Sequence, residues 1–210
     1  MTTENSQHLE AIQDIRNMMK KSTRFLSLSG LSGVFAGIYA LLGIFAVNYY
    51  FYYLRTHDNN EFVISLVMNI QRNFIIIAFL VLFFSIITAY FFSSRKAKRE
   101  GHNLFDHNAI RVLINLCIPL VAGGVFCISF LYNRDYTYIA PSMLLFYGMA
   151  LINASKYTYD DIRYFGICEI ILGLISSFDL LNGMLYWTIG FGVLHIVYGA
   201  VMWFKYEKKR

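Results

Sequence analysis

Charge is scarce in this chain. Only 15% of its 210 residues are Asp, Glu, Lys or Arg, against roughly a quarter in soluble domains. That deficit excludes an ordinary soluble fold. Cysteine is scarce too: there are three, an odd number. Cys117, Cys127 and Cys168 all fall inside apolar runs. They form no disulfide framework and read as small apolar residues. Proline occurs twice. Polar sequence between the apolar runs is short, which leaves no room for a soluble catalytic module.

What is abundant is apolar: 57% of residues are hydrophobic and 18% are aromatic. They gather in six runs, at about 25–53, 74–92, 109–132, 138–153, 162–181 and 184–204. Each is close to the length a helix needs to cross a ~30 Å hydrocarbon core, the fourth being the shortest. The expected fold is all-α, a polytopic bundle of six transmembrane helices forming one domain over 25–210.

The cations flank alternate ends of these runs. Fifteen of the eighteen fall on one side, and only Arg55, Arg72 and Arg134 on the other. The positive-inside rule then predicts both termini in the cytoplasm. The formal net charge of +5 suits anionic headgroups. It comes with no nucleic-acid reading motif. Tyrosines and tryptophans mark both boundaries, as expected of amphipathic rings at headgroup depth.

Residues 1–24 have a separate pattern. Leu9, Ile12, Ile15 and Met19 share one helical face, with Glu10, Asp14 and Arg16 elsewhere. This predicts an amphipathic helix on the cytoplasmic interface. A charged leader followed by so long an apolar run is not the pattern of a cleavable signal peptide.

Small residues stripe the first span. Ser29, Gly33 and Gly37 recur every four residues, and Ser32, Ala36 and Ala40 lie beside them. In lipid such stripes let helix backbones approach closely. They predict packing within the chain, with a homo-oligomer seam as the alternative. Gly30-Leu31-Ser32-Gly33 looks like the Gly-x-Ser-Gly of rhomboid proteases, which also have six spans and a histidine in the sixth, where His195 would match. The rhomboid serine opens the fourth span, whereas Ser32 stands in the first. The stripe accounts for it better.

Ionisable groups inside the slab are costly and mark candidate sites. Two qualify, Glu169 in span five and His195 in span six. Measured from the turn between Asn182 and Gly183, their depths differ by about one residue of rise, ~1.5 Å. They can meet if both face the hairpin seam, either as a structural tie or as a proton, ion or ligand site. Asn115 and Tyr39 are alternative partners for Glu169. Pro119, followed by Gly123 and Gly124, predicts a kink in span three that could expose backbone to a ligand. In the loop after span two, His102, Asp106 and His107 (HNLFDH) are too few for a metal site. No metal, cofactor or catalytic constellation is expected.

Residues 35–43 (FAGIYALLG) and 165–173 (FGICEIILG) are alike, which suggests three repeated hairpins. The stretch 15–43, IRNMMKKSTRFLSLSGLSGVFAGIYALLG, resembles the opening of a group of six-span bacterial inner-membrane proteins. The resemblance implies a bacterial cytoplasmic membrane and brings no activity with it. The function expected is a non-enzymatic membrane module that binds a small or lipid-like ligand or a partner protein. A transporter or channel using Glu169 and His195 is the alternative, and an intramembrane enzyme the third.

Overall fold

A computed structural model describes residues 28–56, 63–99, 101 and 105–208. The leader helix expected over 1–24 lies outside the described residues, as does His102. The described residues are helical, with no strand among them.

Among the described residues, six helical rods follow in order. They are α1 (Gly30–Thr56), α2 (Val63–Arg99), α3 (His107–Tyr132), α4 (Ile139–Ala154), α5 (Asp161–Phe178) and a composite sixth. The sixth comprises α6 (Gly183–Trp187), a π-helical segment (Thr188–Leu194) and α7 (His195–Tyr206). Four rods are long and apolar enough to cross a membrane: α1, α2, α3 and the sixth, counted from Leu180. The other two differ for visible reasons. α4 has 16 residues, about 24 Å of rise. α5 carries Asp161, Arg163 and Glu169 within 18 residues.

Two ends of the sequence pattern became helix boundaries. Asp106 caps α3 by accepting from the Ala109 N–H at 2.7 Å. Beyond α2, Gly101 takes φ +72° and its N–H donates to the Lys98 carbonyl at 3.3 Å. A left-handed residue just past a helix end favours glycine.

α1 packs against α2 on one side and against the π segment and α7 on the other. α4 lies between α3 and α5. Thus the most extensive pairings are α4 with α5 and α1 with the sixth rod as a whole, and both join different predicted hairpins. Glycines make them possible. Cβ atoms on Gly148 and Gly166 would lie 2.6 and 2.7 Å from each other's carbonyl oxygens. On α1, a Cβ on Gly33 would lie 3.2 Å from Gly199 Cα, and one on Gly37 would lie 2.6 Å from the Gly192 carbonyl. The small-residue stripe is therefore filled from within the chain, with Ala40 buried and Ala36 half-buried beside it. The surface expected of a homo-oligomer seam is occupied by the π segment and α7.

The core sits where α4, α5 and α7 meet, around Leu144, Ile162, Phe165 and Met202. α2 and α3 are flanks. Their outward faces carry large apolar side chains, such as Phe79 and Ile86 on α2 and Val121 and Ile128 on α3. Hydrocarbon is the solvent such faces suit.

Pro119 stands inside α3, which continues through it from His107 to Tyr132. The helical discontinuity lies instead in the sixth rod. Gly190 and Gly192 fall in the π segment and are buried. With no Cβ at Gly190, the Glu169 carboxyl packs against the backbone. A Cβ there would lie 2.5 Å from Glu169 Oε2.

The α4–α5 connection lies level with the far ends of α2 and α7. Asp161 accepts from Lys205 Nζ at 2.7 Å and from the Tyr206 hydroxyl at 2.7 Å. Lys96 Nζ, on the last turns of α2, donates to the Tyr159 hydroxyl at 3.1 Å. At the opposite end, a Cβ on Gly183 would lie 3.4 Å from Ala140 Cβ. α4 thus runs from the level where α6 begins to the level where α7 ends.

Candidate functional site

Glu169 and His195 face one another across the seam between α5 and the sixth rod. His195 Nδ1 lies 3.9 Å from Glu169 Oε1. That is ion-pair range and too long for a hydrogen bond. The ring is engaged elsewhere. Nδ1 lies 3.0 Å from the Gly190 carbonyl oxygen, which can only accept, so Nδ1 bears a proton. Nε2 lies 2.8 Å from the Tyr147 hydroxyl. In the neutral imidazole Nε2 is the acceptor, so Tyr147 donates to it.

Aromatic rings enclose the imidazole. Tyr147 stacks on it at 5.2 Å between centroids, Phe191 stacks at 5.7 Å, and Phe165 meets it edge-on at 4.8 Å. Tyr198 stacks on Phe165 at 4.6 Å. Glu169 is fully buried, and neither carboxylate oxygen has a hydrogen-bond partner among the described residues. The Ser176 and Tyr198 hydroxyls share that condition. A buried polar group without a partner is expensive, so the Glu169 carboxyl is costly to hold at this seam.

Tyr147 was not singled out by sequence. One signal pointed to it: it lies in mid-span, away from the boundary tyrosines, where a phenol hydroxyl needs a partner. The other predicted site residues are used elsewhere. The Asn115 side chain donates to the Arg111 carbonyl at 2.9 Å, and the Asn115 backbone carbonyl accepts from the Asn153 side chain at 2.9 Å, tying α3 to α4. The Thr88 hydroxyl donates to Phe84 O at 2.7 Å, so the Tyr39 hydroxyl at 3.1 Å donates to Thr88, tying α1 to α2. Pro119 is half-buried on the flanking α3. Ser32 Oγ donates to the Ser29 carbonyl at 2.6 Å, within its own helix region. Among the described residues, no three His, Cys, Asp or Glu side chains converge as metal ligands.

A second polar cluster lies at the basic ends of the rods. Glu207, just past α7, reaches the start of α1. Its carboxylate accepts from the Gly30 N–H at 2.6 Å and from Ser29 Oγ at 3.1 Å. A carboxylate at a helix N-terminus is favoured by the open N–H groups and the dipole. Lys96 Nζ, on a buried residue, lies 3.6 Å from Glu207 and donates to the Leu28 carbonyl at 2.8 Å. Beside this cluster is a cavity of about 310 Å³. Arg95, Lys96, Arg99 and Glu207 give it a charged wall, and Leu31, Phe92 and Trp203 an apolar one.

Asp161 bridges α5 to Lys205 and Tyr206 close by. Its burial opposes ionisation. The hydrogen bonds from Lys205 and Tyr206 and the Lys205 charge outweigh that and hold its carboxyl below the usual range.

Comparison with protein-family models, with curated proteins and with solved structures gave no match.

Proposed function

We propose that this chain is a non-enzymatic binding module with six spans, set in a bacterial cytoplasmic membrane with both termini inside. Its ligand site is the cavity beside Glu207. The level placement of the α4–α5 turn with the ends of α2 and α7 supports counting α4 and α5 as spans. The fifteen-to-three cation split supports the orientation.

One observation carries the binding assignment. The cavity of about 310 Å³ joins cationic groups to an apolar wall at the ends of α2 and α7. That volume falls at the lower end of small-ligand sites. The seam at Glu169 and His195, by contrast, is filled by rings and by glycine backbone.

Native mass spectrometry of the purified full-length chain tests this. The expected result is a retained membrane-derived molecule, lost in Leu31→Trp and in Phe92→Trp, which fill the cavity. Leu42→Trp, on a lipid-facing position 59% exposed, should keep it. A wild type with no adduct, or cavity-filled variants that keep it, would overturn the reading.

A second reading, transport of a small solute, ion or proton, is favoured by the unpartnered Glu169 oxygens 3.9 Å from His195. Flux into proteoliposomes that disappears in Glu169→Gln would select it.

A further inference from the structure

The charges in the cavity wall do not cancel. Glu207 lies against Lys96 and the start of α1, so its carboxylate is already compensated. Arg95 and Arg99 are exposed on α2 and form no ion pair among the described residues. Four residues apart on one helix, they are separated by about 6 Å of rise. Two guanidinium forks at that spacing suit the oxygens of one phosphate group.

The apolar wall narrows the choice further. Phe92 in that wall meets Phe91 edge-on at 5.5 Å between ring centroids, and Phe91 is exposed on α2 together with Ile87 and Tyr90. A ligand held by its phosphate at Arg95 and Arg99 could therefore lay an apolar tail along α2. Free phosphate has nothing to place there.

Building on the binding reading above, we propose that the cavity seats the phosphate headgroup of an anionic lipid of the cytoplasmic leaflet, clamped by Arg95 and Arg99 beside Trp203.

The test uses the full-length chain in nanodiscs of phosphatidylcholine with varied phosphatidylglycerol. Bound lipid is read by native mass spectrometry after transfer to detergent. Wild type should retain phosphatidylglycerol over phosphatidylcholine by about tenfold or more, as two cationic contacts at a lipid surface provide. Arg95→Gln with Arg99→Gln should erase that preference. Arg95→Lys with Arg99→Lys, which keeps charge but loses the forks, should retain only part of it. Arg111→Gln, a basic residue on α3, should leave it within about threefold, because its charge lies outside the clamp. Inorganic phosphate at millimolar concentration should not displace the lipid.

Equal retention of both lipids, lost only on filling the cavity, would sink the anionic assignment and leave the binding module standing. Displacement by inorganic phosphate would assign the site to free phosphate and overturn the lipid. An Arg111→Gln loss equal to that of the arginine pair would show unspecific surface charge and also overturn it.

Discussion

Gly30 and Gly199 pack backbone against backbone. A Cβ on Gly30 would lie 2.5 Å from the Gly199 carbonyl oxygen, and one on Gly199 would lie 2.6 Å from the Gly30 carbonyl oxygen. The contact joins the first described helix to the last and holds the cavity wall beside it.

This contact predicts which glycines matter. Gly199→Ala should destabilise by about 1–3 kcal/mol, the usual cost of overpacking. Gly37→Leu should cost more, since Gly192 and Ile196 crowd that position. Gly124, with nothing within 4 Å, is the contrast. Gly124→Ala should be neutral or raise stability by up to ~1 kcal/mol through helix propensity. Thermal unfolding in detergent reads all three, and equal midpoints would show that α1 and α7 do not meet this way.

The imidazole's partners predict an ordering. Tyr147→Phe leaves Nε2 of His195 buried without its donor, a loss of about 1–3 kcal/mol. Glu169→Gln should cost less than ~1 kcal/mol, because the carboxylate oxygens have no hydrogen bond to lose. In double-mutant cycles, Tyr147 and His195 should couple by about 0.5–1.5 kcal/mol, the range of hydrogen bonds in membranes. Glu169 and His195 should couple by less. A larger Glu169–His195 coupling would mean that Nδ1 turns to the carboxylate and leaves Gly190.

Orientation is open to chemical labelling. In a background without native cysteines, Asp58→Cys should react with an impermeant thiol reagent on intact cells. His102→Cys should react only after permeabilisation. Labelling of His102→Cys in intact cells would invert the topology.

Asp161 predicts a pH dependence. Its carboxyl is held below the usual value, mainly by Lys205 and Tyr206 against the effect of burial. The unfolded chain therefore binds that proton more readily. The stabilisation is present above the unfolded value, about 3.9, and is lost as pH falls through the folded one. The midpoint of wild type should drop more between pH 6 and pH 3 than that of Asp161→Asn. Parallel curves would show that the Asp161–Lys205 contact contributes nothing.

The helices were legible because lipid imposes a strong local rule. Backbone polar groups must be satisfied internally, so long apolar runs become helices. The stripe of Gly33 and Gly37 was legible as a packing face for the same reason. The near-equal depth of Glu169 and His195 followed from counting residues around a short turn. Their hydrogen bonds did not. Rotation about each helix axis decides which nitrogen meets which oxygen, and rotation is set by neighbouring helices.

Composition and periodicity alone thus determined an all-helical membrane chain, most of its helix boundaries to within a few residues (α2 runs well past its predicted apolar stretch at both ends) and two buried ionisable groups. The tertiary structure decided the pairings. It set α1 against α7, opened a π segment where Gly190 and Gly192 admit Glu169 and Leu41, and brought Tyr147 to His195. It also carried Glu207 across the chain to the N-terminus of α1, beside Arg95 and Arg99. These contacts join residues up to 178 positions apart, and in lipid they rest on close backbone fit and on polar groups needing partners, which no local pattern encodes.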